Sequence, residues 1–216
     1  MPELPEVETI RRQLRTEIGS QTVLRAGSHQ SQKFLPARKT RGRRFIGLSR
    51  RGKYLIGEFD NETELIIHLG MTGQLLIDKN EKFSKNLDQY CRAWWSLANG
   101  KTVVFRDVRR FGRIAVVGKG DYSQIPTLRD MGPEPFSDGL TGNDVWLRTK
   151  GRKSRIKTQL LSQRLIAGVG NIYADEALFL ARINPALRSI SRSQGERLLE
   201  AVRTVFSEAI ERGGTT

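Results

Sequence analysis

The sequence predicts an α+β fold in which an N-terminal helix is followed by a β-sandwich or barrel and then by an all-helical region. Apolar residues recur at helical spacing near the N-terminus, change to short β-like runs between Thr22 and about Val117, and then return to helical spacing. At 216 residues the chain holds one large domain or two small ones. We therefore expect a first domain over residues 1–117, a linker over 118–140 and a second domain over 141–216.

The first helix is predicted over residues 3–18. Its apolar face repeats at helical spacing and comprises Val7, Ile10, Leu14 and Ile18. Gly19 follows as a stop signal, and Pro2 and Glu3 stand at the N-terminus, where proline and acidic residues are both favoured.

Short runs of β-branched, aromatic and aliphatic residues predict the strands that follow. These runs are residues 45–48, 54–59, 65–69, 74–77, 93–97 and 102–105. Asp60-Asn61 and Asn99-Gly100 supply turns between them. Several short strands of this kind indicate a β-sandwich or a β-barrel.

The segment 118–140 is rich in glycine and proline, a composition typical of a linker. Beyond it the β-like pattern disappears. Helices are predicted over residues 143–150, 154–166, 171–181 and 191–212.

The N-terminal sequence Met1-Pro2-Glu3 offers a candidate nucleophile. Methionine is usually removed before a small residue, and Pro2 would then expose a secondary amine that can attack an electrophilic carbon. Addition to a sugar carbon at the aldehyde level gives an iminium ion, whose positive charge suits elimination chemistry. On these residues alone, a proline that stiffens the entry to a helix is the preferred interpretation.

Composition favours a nucleic-acid partner. The chain has 37 Lys and Arg against 23 Asp and Glu, a formal net charge of +14. Basic residues form runs without acids at 38–44, 50–53, 109–110 and 150–157, and such runs attract phosphate backbones. A membrane surface is less favoured, since no basic amphipathic helix with a wide apolar face is present. No signal peptide or spanning segment is predicted, so we expect a cytoplasmic protein that associates with the nucleoid through DNA.

Gly168 and Gly170 precede the helix predicted to begin at Asn171. Two glycines let backbone N–H groups approach an anion, and Asn171 can cap the helix or contact a phosphate. A tight turn between helices explains the glycines equally well. The basic run 153–157 favours phosphate binding.

Five segments in order along the chain resemble bacterial formamidopyrimidine-DNA glycosylase. They are residues 1–10, Arg51-Gly52-Lys53-Tyr54, His68-Leu69-Gly70-Met71-Thr72-Gly73, Asp107-Val108-Arg109-Arg110-Phe111-Gly112, and residues 167–176. The resemblance implies a bifunctional enzyme of base excision repair that removes 8-oxoguanine and formamidopyrimidines and cleaves the strand by β,δ-elimination. It also implies an N-terminal helix with a two-layer antiparallel β-sandwich, followed by a helix-two-turns-helix domain that binds DNA.

The same resemblance assigns catalytic roles to four residues. Pro2 would attack C1′ of the damaged nucleotide and form a Schiff base, and Glu3 would pass a proton to the sugar ring oxygen. Lys53 would reach toward the lesion and its phosphate, and Glu6 would be a supporting active-site acid. Without the resemblance, Glu3 is explained as a helix N-terminal carboxylate and Lys53 as a surface lysine.

Further residues match family positions that handle the DNA. An enzyme that acts on a base rotates the nucleotide out of the duplex, which leaves a gap. Met71 and Phe111 match apolar side chains that fill this void, and Arg109 matches a donor to the orphaned base. Lys157 and Asn171 match residues that bind phosphates beside the lesion.

Family members that resemble this chain continue past Gly213-Gly214-Thr215-Thr216 into a lesion-covering loop and a four-cysteine zinc finger. With Cys91 as its one cysteine, this sequence cannot supply such a site. We therefore expect no metal or cofactor in the chain, and reaction at an abasic site more readily than excision of a damaged base.

The predicted partner is double-stranded DNA that carries an oxidised base or an abasic site, bound by a monomer. Two alternatives remain open. One is an endonuclease VIII-like enzyme that prefers oxidised pyrimidines, although Leu4, Met71 and Phe111 resemble the purine branch more closely. The other is a non-catalytic protein that only binds damaged DNA.

Overall fold

The computed structural model describes residues 1–78 and 88–214, and these residues form two compact units. Of the described residues, the first unit contains 1–2, 7–78 and 88–124, and the second contains 3–6 and 125–214. The N-terminal turn of the first helix therefore belongs to the helical unit. The predicted β region and second domain extend into 79–87 and 215–216, which lie outside the described residues.

Among the described residues, the first unit contains most of one helix and eight strands. Helix α1 spans Leu4–Ile18, and a 3₁₀ turn spans Leu35–Thr40. The strands are β1 Val23–Ser28, β2 Phe45–Arg51, β3 Tyr54–Phe59, β4 Thr63–His68, β5 Gly73–Asp78, β6 Cys91–Leu97, β7 Thr102–Asp107 and β8 Arg113–Gly118.

The strands form two antiparallel four-stranded sheets, with orders β1-β6-β7-β5 and β2-β3-β4-β8. One apolar core joins them, because Phe59 and Leu65 of one sheet and Trp95 and Phe105 of the other belong to the same buried cluster. Leu14 of α1 packs into this cluster as well. The predicted two-layer sandwich is confirmed, and the barrel alternative is wrong.

The second unit is helical. Its helices are α2 Pro126–Arg129, α3 Gly142–Thr149, α4 Ile156–Leu161, α5 Asn171–Leu180 and α6 Arg192–Glu211. Capping boxes at Thr141 with Asp144 and at Ser191 with Gln194 fix the starts of α3 and α6. Tyr173 and Phe206 pack edge to face within its buried core, at 5.2 Å between ring centroids.

Most helix predictions agree with these bounds to within one residue, but the helix predicted over 154–166 is too long. It ends at Leu161, and Gln163 adopts a left-handed φ of 64°. The segment 118–140 contains α2 and the buried side chains of Leu128 and Leu140, so it carries more structure than a bare linker. The domain boundaries themselves stay a prediction. Among the described residues, no helix is long and apolar enough to cross a bilayer.

Candidate functional site

A glycine-containing loop in front of α5 forms the base of the candidate site in the helical unit. Gln163 braces this loop, because its amide nitrogen donates to the Val169 carbonyl at 2.5 Å and its amide oxygen accepts from Gly168 N–H at 2.8 Å. Gly168 has a φ of +86°, a conformation that favours glycine. Its carbonyl accepts the N–H of Leu4 at 3.1 Å, so the loop holds the first turn of α1.

The Glu3 carboxylate lies at the N-terminus of α5 and is almost fully buried, with 1% of the residue exposed. It accepts backbone N–H groups from Gly170 at 2.6 Å, Ile172 at 3.0 Å and Tyr173 at 3.4 Å. The N-cap residue Gly170 offers no side-chain cap of its own. Glu3 therefore satisfies the orphan donors of the helix and places its negative charge where the helix dipole favours it.

Close approach explains why position 170 is glycine. A Cβ atom there would lie 2.3 Å from Cδ of Glu3, closer than real contacts allow. The backbone N–H groups of this loop donate to a carboxylate of the protein itself, and phosphate binding beside them stays a prediction. The donors at Gly170 and Ile172 are occupied by Glu3, whereas the Asn171 side chain between them is exposed.

Glu6 connects the first turn of α1 to the helical core. One of its carboxylate oxygens accepts the Glu3 N–H at 2.8 Å, the contact that a capping box makes. The other accepts the hydroxyl of Tyr173 at 2.7 Å, and Tyr173 is 1% exposed. Glu3 and Glu6 are thus both fixed by α5, and Pro2 precedes this fixed turn as a half-buried residue.

Lys53 lies in the two-residue turn between β2 and β3, where Arg51 pairs with Tyr54. The surface-lysine interpretation is wrong, because only 7% of Lys53 is exposed. Its charge acts on His68 at the end of β4: burial, then the charges of Lys53 and Arg113, lower the pKa of His68 to about 4. His68 is therefore neutral at neutral pH, and its Nδ1 accepts the N–H of Gly70 at 3.2 Å.

The three predicted void-filling residues lie on two neighbouring loops of the β unit. Met71 is 43% exposed and Phe111 is 49% exposed, so neither is a core residue. The Arg109 guanidinium stacks over the Phe111 ring at 4.8 Å from its centroid. The Arg109 N–H also donates to the hydroxyl of Thr72, the neighbour of Met71, at 3.0 Å, and this bond joins the two loops.

The two predicted phosphate-binding residues lie on α4 and α5. Asn171, at the start of α5, is exposed. Lys157 on α4 forms an ion pair with Asp175 at 2.7 Å, and both side chains contact solvent. Exposed pairs of this kind are weak, so an anion of higher charge can compete for Lys157.

Sequence reasoning gave no role to several residues that the structure connects to the site. Tyr173 holds Glu6, Gln163 braces the glycine loop, and Asp107 is fully buried between the void-filling loops. Asp107 and Thr72 belong to segments that resemble the family, but their hydrogen bond joins residues 35 positions apart. No local sequence pattern predicts a contact of that kind. Within residues 1–78 and 88–214, no group of three or more His, Cys, Asp or Glu side chains has a metal-binding arrangement.

The sequence matches two domain families in order. The formamidopyrimidine-DNA glycosylase N-terminal domain matches residues 1–114, and the H2TH domain of the same enzymes matches residues 131–216. The formamidopyrimidine-DNA glycosylase of Thermus thermophilus is 41% identical over 218 residues, which cover 100% of this chain and 78% of the relative. That of Deinococcus radiodurans is 37% identical, with 100% and 77% covered.

Solved structures agree with the sequence comparison. The MutM (Fpg) protein of Thermus thermophilus superimposes with a TM-score of 0.90 at 41% identity, covering 100% of this chain and 78% of that one. The Lactococcus lactis enzyme, bound non-covalently to DNA with an AP site, gives a TM-score of 0.89 at 30% identity, with 99% and 83% covered. With both of its domains matched in order and its fold reproduced, this chain belongs to the formamidopyrimidine-DNA glycosylase family of DNA repair enzymes.

Proposed function

We propose that this chain is a bifunctional DNA glycosylase and abasic-site lyase that removes oxidised purines from duplex DNA and cleaves the strand. The observation that carries the proposal is the fixed N-terminal turn, in which Glu3 accepts three backbone N–H groups of the α5 N-terminus. This arrangement sets a buried carboxylate next in sequence to Pro2. A nucleophile with a positioned acid–base group beside it is what covalent catalysis requires.

In the proposed first step, the Pro2 amine, freed by removal of Met1, uses its lone pair to attack C1′ of the damaged nucleotide. The bond between C1′ and the base breaks, and the base leaves with that electron pair. The Glu3 carboxylate, held in place by the backbone donors, takes up the proton that the amine loses and delivers it to the ring oxygen. The C1′–O4′ bond then opens and leaves an iminium ion on Pro2.

The iminium ion drives strand cleavage. It acidifies the C2′ protons, and loss of one of them expels the 3′ phosphate; a second elimination expels the 5′ phosphate. Lys53 lies in the β unit and is 7% exposed, and we assign it to the lesion and its phosphate. Glu6 holds the N-terminal turn through Glu3 N–H and Tyr173.

We further propose that damaged duplex DNA is the partner. The net charge of +14 and the exposure of Met71, Phe111 and Asn171 support this assignment. Among similar structures, one MutM is in complex with DNA containing carbocyclic 8-oxo-G, at 29% identity and a TM-score of 0.89. In our scheme Met71, Arg109 and Phe111 fill the gap, and Lys157 and Asn171 bind phosphates. The monomeric state, the cytoplasmic location and the lack of a cofactor stay predictions.

The test compares base release and strand cleavage on duplexes that contain 8-oxoguanine, a formamidopyrimidine, an oxidised pyrimidine or an abasic site. Pro2→Gly replaces the secondary amine by a primary one, and we expect turnover to fall by at least about a hundredfold while DNA binding persists. Pro5→Ala is the matched control, since it removes a proline from the same turn but leaves the amine. Turnover of Pro2→Gly equal to that of Pro5→Ala would show that the nucleophile assignment is wrong.

A further inference from the structure

The side chains of Met71, Arg109 and Phe111 are here called the wedge, and the two loops that carry them are the wedge loops. Asp107, at the end of β7, joins these two loops. The residue is fully buried, at 0% exposure. Its Oδ1 accepts the hydroxyl of Thr72 at 2.5 Å, and its Oδ2 accepts the backbone N–H of Gly112 at 2.7 Å. A single carboxylate therefore holds one wedge loop with each of its oxygens.

The Thr72 hydroxyl extends this connection, because it donates to Asp107 and accepts the N–H of Arg109 at 3.0 Å. The loop from Asp107 to Gly112 is thus fixed at two points, one at Arg109 and one at Gly112. Two-point attachment restricts both the position and the direction of the Arg109–Phe111 segment.

The loop backbones are also in direct contact. A Cβ atom on Gly70 would lie 2.5 Å from the backbone nitrogen of Gly112 and 2.5 Å from the carbonyl carbon of Phe111. Gly70 has a φ of +68°, so a side chain at this position is excluded on both grounds. The two loops are therefore packed as one body next to the exposed wedge side chains.

A buried arginine holds the backbone of Asp107, the residue from which the second wedge loop begins. Arg92 is 2% exposed, and its Nε donates to the backbone carbonyl of Asp107 at 2.7 Å. A second nitrogen donates to the Gln89 carbonyl at 3.0 Å. The Arg92 guanidinium supplies positive charge near the buried Asp107 carboxylate. A carboxylate that is removed from water needs such a partner to compensate for its lost hydration.

We propose that Asp107 and Thr72 are positioning residues that hold the wedge in one geometry, so that Met71, Arg109 and Phe111 enter the gap left by an everted nucleotide as a unit. The inference rests on the proposed function. Because Asp107 is buried, it acts through the wedge and not on the DNA. A preorganised wedge avoids the entropy loss of ordering two loops during eversion, a step that already requires unstacking.

Thr72→Val tests this role, because it keeps the size of the side chain but removes the hydroxyl that serves both Asp107 and Arg109. Thr72→Ser restores the hydroxyl and is the rescue variant. Thr63→Val is the matched control in the same unit, since the Thr63 hydroxyl also accepts from an arginine, Arg43 at 2.8 Å, and donates to Asn61 at 2.7 Å.

The first readout is amide hydrogen exchange over residues 108–112, measured on the free protein. We expect exchange at Arg109 and Gly112 to accelerate at least about tenfold in Thr72→Val and to stay at the wild-type rate in Thr72→Ser and Thr63→Val. Unchanged protection in Thr72→Val would overturn the proposal that Thr72 and Asp107 hold the wedge loops in place. This readout does not depend on catalysis.

The second readout compares cleavage of an abasic site in duplex and in single-stranded DNA. Single-stranded substrate needs no eversion, so we expect Thr72→Val to slow the duplex reaction at least about tenfold and the single-strand reaction less than twofold. Equal losses on both substrates would overturn the positioning role, because they would indicate general damage to the fold.

A fluorescent base separates failure of the inference from failure of the proposed function. 2-Aminopurine opposite an abasic-site analogue brightens when the wedge unstacks it, without any chemistry. Wild-type protein that brightens the probe but cleaves no substrate would disprove the proposed catalysis and leave the wedge intact. An equal fluorescence rise with wild type and Thr72→Val would disprove the positioning role.

Discussion

Glu3 combines two properties that rarely occur together, a carboxylate and nearly complete burial. Three backbone N–H groups compensate for its desolvation, and Gly170 leaves it the space it needs. From the sequence, a helix N-terminal acid was predictable at this position. Its true partner was not, because the nearest donor lies 167 residues away and only the fold brings them together.

Replacing Glu3 tests whether this carboxylate supports the helical unit. Glu3→Gln puts an amide N–H₂ group against backbone donors, so we expect the free energy of unfolding to fall by about 1–2 kcal/mol. Glu200→Gln, on the exposed surface of α6, is the control and should change stability by less than about 0.5 kcal/mol. Urea unfolding at neutral pH measures both. Equal stabilities would mean that the α5 N-terminus does not depend on Glu3.

Lys53 can be examined through its neighbour His68. The Lys53 charge contributes to the lowering of the His68 pKa to about 4, after burial, so Lys53→Met should raise that pKa toward its ordinary value of 6.5. Because the folded pKa is the lower one, His68 contributes stability above about pH 6.5, and this contribution is lost as the pH falls from 6.5 toward 4. An NMR titration of the imidazole measures the change; an unaltered His68 pKa would contradict the proximity of the two charges.

At the scale of elements, periodicity located the helices well because apolar faces and caps are local signals. It failed at α4, where Gln163 turns left-handed and uses its side chain to brace Gly168 and Val169. The order of strands in the sheets could not be predicted from the sequence. In the sheet β1-β6-β7-β5, β6 and β7 are consecutive in the chain, whereas β1 and β5 pair with them from earlier parts of the chain. Pairing of that kind depends on tertiary packing.

Within the first unit, α1 is tied to β2 by charge. Glu8 accepts hydrogen bonds from Arg11 and Arg12 on its own helix and from Arg50 on β2. Burial raises the pKa of Glu8, but the hydrogen bonds from Arg11 and Arg12 and the charges of Arg11 and Arg50 outweigh it and lower the pKa from 4.5 to about 2.

This depressed pKa gives a pH-dependent contribution to stability. A carboxylate whose folded pKa is lowered stabilises the fold above its unfolded pKa, and the contribution is lost as the pH falls from about 4.5 to 2. After allowance for solvent screening, we expect about 1–2 kcal/mol at pH 7. Glu8→Gln should therefore differ from wild type at pH 7 and converge with it near pH 2 in denaturant unfolding. A pH-independent difference would contradict the ion-pair network.

At the scale of the whole molecule, the excess of positive charge was readable from composition and directs the functional conclusion toward DNA. Composition does not reveal which cations are engaged within the protein. Lys157 pairs with Asp175, and Arg50 pairs with Glu8, so the 37 Lys and Arg residues are not all available to phosphates.

DNA affinity should fall steeply with salt, by roughly a hundredfold or more between 50 and 200 mM, because bound phosphates release counterions. Lys157→Ala should weaken binding to all sequences and reduce the slope of log K against log salt by about 1. Lys119→Ala, which removes an exposed lysine of the β unit, is the control for charge alone. A DNA affinity that does not change with salt concentration would contradict phosphate binding by Lys157 and the other basic residues.

Whether Pro2 is the nucleophile can be measured by borohydride trapping on duplex DNA with an abasic site or 8-oxoguanine, followed by peptide mapping. We expect a stable adduct on the N-terminal peptide, at Pro2 and without Met1. An adduct at Lys53 or any other amine, or no adduct while DNA binding persists, would show that Pro2 is not the nucleophile.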